Sequence, residues 1–243
     1  MSFQAPRFSG KLPFLHPLDN PVWESIGSVH ARFARSAGAA RRFIPEVSPL
    51  AGVSEPTPEA FDALASLAAP GEPATLFLEA RVVPGPKWSV ARDVGLLQMV
   101  HSGSALASPS HELLELNGKD AAEMLALARL TRPGPFDERT RELGTFRGVR
   151  VDGRLAAMTG ERLKLPGFTE LSAVCVHPEH LGRGYARSLM SAVAGGIRAR
   201  GETPFLHVLP ENARAISLYE SLGFTRRRLF ALMGLRREHD KSP

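Results

Sequence analysis

Strand-like and helix-like patterns alternate through the second half of this chain, and the alternation predicts an α/β fold. Three observations carry that expectation. Residues 171–176 are β-prone and almost wholly apolar, which suits a strand buried on both faces. After the stop at Pro178 comes a glycine turn, Leu181-Gly182-Arg183-Gly184-Tyr185-Ala186, and then Ala186, Leu189, Met190, Val193, Ala194 and Ile197 recur at the spacing of one helix face. Thr203-Pro204 then opens a second apolar run, 205–209, which a helical connection makes parallel to the first.

The chain has 243 residues, enough for one large domain or two small ones, with 43% hydrophobic and 23% charged residues, as in ordinary globular proteins. No run approaches the roughly 18 apolar residues of a membrane helix, and residues 1–11 lack the apolar centre of a signal peptide, so no membrane partner and a cytoplasmic location are expected. The single cysteine, Cys175, rules out an internal disulfide and any multi-thiolate metal site, and its place in an apolar strand makes it a core residue. The formal charge of +5 comes in short arginine clusters with no nucleic-acid motif between them, so a solvated surface is expected and no nucleic-acid partner. A positive field also suits a phosphate-bearing ligand.

Taken in order, residues 1–19 show no periodicity and read as extended chain. Asn20-Pro21 starts a helix whose apolar side runs through Val22, Trp23, Ile26, Val29, His30 and Phe33, with Gly38 as its end. Residues 39–53 read as extended or turn structure. Thr57-Pro58-Glu59-Ala60 caps a second helix, which Pro70-Gly71 stops. Residues 74–83 and 95–101 read as strands around a turn at Pro84-Gly85-Pro86, and the small residues of 102–110 as a linker. This divides the chain into an α/β region, 1–110, and a second domain, 111–243. In the second, 112–116 is a strand, 120–130 a helix and 140–144 a short helix. Residues 146–151 and 155–163 form a hairpin across Asp152-Gly153. The last helix starts at Asn212, with Ala215, Ile216, Tyr219 and Leu222 on one face and Gly223 closing it, and 224–235 is a final strand or hairpin.

The first N–H groups of a helix have no internal acceptor, and the helix dipole adds positive potential there. Glycines that let a ligand approach that backbone make a phosphate cradle, and Arg183 adds a full charge beside it. The same composition also makes an ordinary tight turn. Residues 170–186, the 203–209 strand and the helix Asn212…Leu218-Tyr219…Leu222-Gly223-Phe224 together resemble the GNAT superfamily of acetyl-CoA-dependent N-acyltransferases. That superfamily carries a (Gln/Arg)-x-x-Gly-x-(Gly/Ala) loop. Here Gly184 and Ala186 occupy the last two named positions and Leu181 the first, where a polar side chain is lost.

The resemblance implies a GNAT fold for 111–243, a mixed central sheet flanked by helices, and the elements of 1–110 have the size for a degenerate copy of it. It implies acetyl-CoA as co-substrate, with its pyrophosphate on Leu181, Gly182, Arg183, Gly184, Tyr185 and Ala186, Tyr185 packing the loop. It further implies that the 170–176 and 205–209 strands splay, so that the pantetheine arm pairs with backbone near Val174, Cys175 and Val176. Asn212 is compatible with either role, a helix cap or a contact to that arm. The resemblance also implies a small-molecule or peptide amine as acceptor, acylated by direct transfer in a ternary complex. Glu170 is placed as the base, directly or through a water, with Glu161 and His207 in reserve, and Tyr219 as the acid toward the departing thiolate. The competing expectation, motivated by Leu181, is a GNAT-fold binding module without turnover.

Overall fold

The structure, a computed structural model, describes residues 16–103, 106 and 108–239. Most of the expected elements form. They are α1 (Pro21–Gly27), β1 (Ala34–Ala37), β2 (Ala40–Phe43), β3 (Ala51–Val53), α2 (Pro58–Ser66), β4 (Pro73–Leu78), β5 (Trp88–His101), β6 (Leu114–Leu116) and α3 (Ala121–Thr131). After these come β7 (Phe146–Val151), β8 (Arg154–Leu165), β9 (Phe168–Val176), α4 (Tyr185–Ala199), β10 (Thr203–Val208), α5 (Ala213–Ser221) and β11 (Phe224–Arg237). Eight strands make one mixed sheet in the order β4-β11-β5-β10-β9-β8-β7-β6, and β1-β2-β3 form a small antiparallel sheet. The large sheet runs across residue 110, because β4 and β5 pair with β11, and β5 also with β10.

Alternation along β10 sets the layers. Phe205 packs with Leu18, Val22 and Ile26 from the N-terminal segment, whereas its neighbour Leu206 packs with Met190, Val193 and Ile197 of α4 and Ile216 of α5. One face of the sheet is therefore covered by α1 and its surroundings, the other by α4 and α5. A further cluster seats Met124 and Leu127 of α3 on Phe146, Met158 and Cys175.

Two turns form as the sequence dictates. Thr57 accepts a hydrogen bond from the Ala60 N–H at the start of α2. Asp152 and Gly153 take φ of 49° and 77°, giving β7 and β8 the two-residue turn that matches strand twist.

The first helix departs from expectation. It stops at Gly27 rather than near Gly38: the Ser28 and His30 N–H groups both turn back to the Ser25 carbonyl, and the Arg41 side chain packs across the helix. The Arg41 guanidinium lies 3.7 Å from the Trp23 ring centroid and donates to the Trp23 carbonyl at 3.1 Å. A Cβ on Gly27 would stand 1.9 Å from Arg41 Nη1, so only glycine admits that contact. Gly38, at φ 50°, turns the β1–β2 hairpin instead. Strand β5 starts at Trp88, seven residues before the expected 95, since the fourteen-residue β11 pairs with it as far as Trp88. Part of the expected linker (104, 105 and 107) and the extended segment up to residue 15 lie outside the described residues.

Candidate functional site

Strands β9 and β10 pair in parallel only at Thr203↔Phe168, Pro204↔Thr169 and Phe205↔Glu170, and beyond that point they part. A cavity of about 340 Å³ opens where they diverge, lined by Leu171–Val174 on one side and Leu206–Leu209 on the other, with Asn212 and Tyr219 beside it. Backbone groups on the parting edges thus lose their sheet partners, and a ligand reaching into the gap can replace them.

The β9 edge is irregular as well as open. Pairing with β8 shifts between Met158↔Cys175 and Gly160↔Ser172, and Ala173 takes a left-handed φ of 51°. This bulge reverses the facing of the strand. Leu171 packs on the α4 side and Cys175 against α3, although regular alternation would put both on one face. A left-handed alanine costs about 1–2 kcal/mol, and it sits in the cavity wall.

The glycine turn lies outside the cavity, at the start of α4. Gly182 and Gly184 have φ of 78° and 80°, a region that disfavours a Cβ, and Gly184 is the N-cap with no side-chain cap hydrogen bond. The first N–H groups of a fifteen-residue helix are thus left without a side-chain cap, the arrangement in which helix N-termini suit anions. Arg183 is exposed and unpaired among the described residues, Leu181 is 51% exposed, and Tyr185 packs edge-on against His111 with ring centroids 4.8 Å apart.

Glu170 sits at the last paired position before the gap, fully buried. Arg162 grips both of its oxygens, at 2.8 and 2.7 Å, and His207 Nδ1 lies 2.7 Å from Oε1. Burial alone would raise the carboxyl, but the charge and hydrogen bonds of Arg162, then those of His207, hold it down at about 2. The His207 tautomer follows from its neighbours. Gln98 Oε1 accepts from Arg227 Nη1 at 2.8 Å, so the Gln98 amide nitrogen, 3.2 Å from His207 Nε2, is the donor there. Nε2 then accepts, and Nδ1–H faces Glu170. Burial lowers the pKa of His207, against the pull of Glu170, and keeps the ring neutral. Neither side chain presents a free lone pair to a substrate.

The remaining expected residues divide. Tyr219 lines the cavity, its hydroxyl makes no hydrogen bond to a described residue, and burial pushes its pKa to about 12. Asn212 caps α5 through the Ala215 N–H at 3.1 Å and also lines the cavity. Val174 lines it, whereas Val176 packs with Val149, Ala157 and Leu189. The Cys175 thiol is pushed up to about 12 by burial, as befits a core residue. Glu161 is outside the cavity, held by Arg200 at 2.7 Å and Lys164 at 2.6 Å. Ahead of the glycine turn, His177, Glu179 and His180 bring potential ligand atoms within 4.8 Å of one another, but His177 Nδ1 accepts the Glu179 N–H at 3.3 Å. Sequence patterns did not single out Arg92, Arg132 or Arg162, which also line the cavity; a lone arginine on a strand or after a helix carries no periodic signal.

The description of an FR47-like protein family matches residues 143–231, which span β7 through most of β11. A crystal structure described as an acetyltransferase of the GNAT family, from Novosphingobium aromaticivorans, is 42% identical, covering 92% of this chain and 100% of that one with a TM-score of 0.86. This chain belongs to the GNAT family. A GCN5-related N-acetyltransferase from Kribbella flavida shares the fold at 16% identity and a TM-score of 0.60, over 90% of this chain and 95% of that one. A GCN5-related N-acetyltransferase-like protein from Streptococcus suis does so at 11% identity and a TM-score of 0.54, over 83% and 82%. No curated protein sequence matches. The GNAT membership and fold support acyl transfer as the general activity. Among the described residues, no helix is long and apolar enough to cross a membrane.

Proposed function

We propose that this GNAT protein transfers an acetyl group from acetyl-CoA to a primary amine by direct attack in a ternary complex. The observation that carries the reading is the parting of β9 and β10 after three pairs, with a cavity in the gap and Tyr219 on its wall. Acetyl-CoA supplies the thioester carbonyl; the amine nitrogen bonds to that carbon, the C–S bond breaks, and a proton passes in net from nitrogen to sulfur.

The chain's own residues are assigned as follows. Gly182–Ala186 and the start of α4 hold the pyrophosphate, with Arg183 adding charge and Leu181 adding no polar contact. The open β9 edge at Val174–Val176 and the Asn212 side chain guide the pantetheine arm. A backbone amide of the bulged Ser172–Val174 segment stabilises the developing oxyanion. Tyr219 remains protonated at every working pH and donates a hydrogen bond to the leaving sulfur. Because a phenol near 12 is a weaker acid than a thiol near 8.5, it stabilises the thiolate rather than surrendering its proton. Glu170 acts by position. With Arg162 and His207 it pins the point at which the strands part, and the amine enters neutral. A cytoplasmic location accords with an acetyl-CoA-dependent reaction.

Thiol release from acetyl-CoA in the presence of amines tests this reading. Tyr219→Phe is expected to lower kcat roughly 100-fold with little change in acetyl-CoA affinity. Unchanged turnover in that variant would remove Tyr219 from the chemistry, and no amine-dependent thiol release in the parent protein would remove the reaction.

A further inference from the structure

We infer that the acyl acceptor is an amino acid, a primary amine carrying a free carboxylate and an apolar portion, whose carboxylate is held by Arg92 and Arg132. This rests on the transferase reading and names the substrate class of the same cavity.

The lining contains three arginines and no aspartate or glutamate. Arg162 is already committed to Glu170. The guanidinium groups of Arg92 and Arg132 have no hydrogen bond or ion pair with any described residue, and Asp93, beside Arg92, is tied to Arg81 at 2.9 Å. The two stand on different walls, Arg92 on β5 and Arg132 at the end of α3. Both are exposed at the cavity, where a carboxylate can replace water at their donors, and the guanidinium fork matches a carboxylate.

The backbone at both positions is specified by its surroundings. The ladder partner of Arg92 is Gly234, where a Cβ would lie 3.0 Å from Arg92 Cβ, and both residues line the cavity. Arg132 adopts a left-handed φ of 50°, uncommon for a residue with a side chain, and leads into Pro133-Gly134-Pro135, which continue the wall. Leu50, Phe77, Leu96 and Leu232 give the cavity its apolar side. A peptide N-terminus offers an amine without an adjacent carboxylate and would leave the arginines unanswered.

The experiment pairs each amino acid with its decarboxylated counterpart: leucine with 3-methylbutylamine, and 6-aminohexanoate with pentylamine. Leucinamide stands for a peptide terminus. The acid is expected to be preferred by roughly tenfold or more in kcat/KM in at least one pair, and leucine over leucinamide if the pair is leucine's. Carboxylate-free amines acetylated as well as both acids would overturn the inference while leaving the transferase intact. A second readout needs no turnover. The amine-free acids 4-methylpentanoate and hexanoate should raise the unfolding midpoint where 3-methylbutylamine does not, and the R92A/R132A variant should lose that shift. If no amine is acetylated, the transferase reading fails, and this binding readout alone decides the carboxylate site: a shift supports it and its absence overturns it. A shift retained in R92A/R132A would overturn the assignment to these arginines.

Discussion

Glu170 is a carboxylate that can attract a substrate proton only weakly. Its oxygens are taken by Arg162 and His207, and its carboxyl is held near 2, so it remains ionised throughout the working range without acting as a base there. The neutral ring of His207 is likewise engaged at both nitrogens. The rising limb of kcat/KM against pH, above about pH 6.5, should therefore follow the ionisation of the amine itself. Changing to an amine of lower pKa should move the limb down by the same amount; a limb that stays fixed while the amine changes would restore an enzyme base. The position of Glu170 is legible in the sequence through its distance ahead of the glycine turn, and that of Tyr219 through its place on the last helix. The partners that decide what Glu170 does are not, because Arg162 and His207 reach it from two other strands.

The site depends on elements that fail to be regular. Strand β9 bulges at Ala173, β10 leaves it after Phe205, and α4 begins on a left-handed glycine. Gly184→Val tests the last of these. A β-branched residue at φ 80° is strained, at a cost of about 1–2 kcal/mol, and displaces the first helical N–H groups. Acetyl-CoA affinity measured by titration calorimetry should fall roughly tenfold or more, whereas an unchanged Kd would place the pyrophosphate elsewhere. The strand-turn-helix unit and the Asp152-Gly153 hairpin can be read from residue types, since each is set by local chemistry. The end of α1 cannot, because the chain turns at Ser28 against Arg41, fourteen residues beyond Gly27, whose guanidinium packs on Trp23. The start of β5 cannot either, because polar Ser89, Arg92 and Asp93 are held in strand by β11 from the far end of the chain.

At the scale of the whole molecule, the first hundred residues are joined to the rest by more than the sheet. The buried His30 ring bridges Ser25 of α1 and the Leu143 carbonyl. A carbonyl only accepts, so Nε2–H donates to it at 3.0 Å and Nδ1 accepts from the Ser25 hydroxyl at 2.9 Å. Burial lowers the pKa from 6.5 to about 4 despite the carbonyl contact. The unfolded chain therefore takes up a proton that the folded one refuses. Stability from this group is complete above 6.5 and is lost as the pH falls toward 4, on the order of 3 kcal/mol. Urea unfolding should show that decline, and His30→Gln, though less stable at neutral pH, should show less of it; equal slopes would mean that His30 carries none of the dependence. The central claim, that the parted strands and glycine turn form an acetyl-CoA site, is tested most directly by thermal unfolding with and without acetyl-CoA. At about 100 times Kd the ligand should add about 2.7 kcal/mol and raise the midpoint by roughly 5–10 °C for a chain of this size. An unmoved midpoint with both acetyl-CoA and CoA would contradict the account.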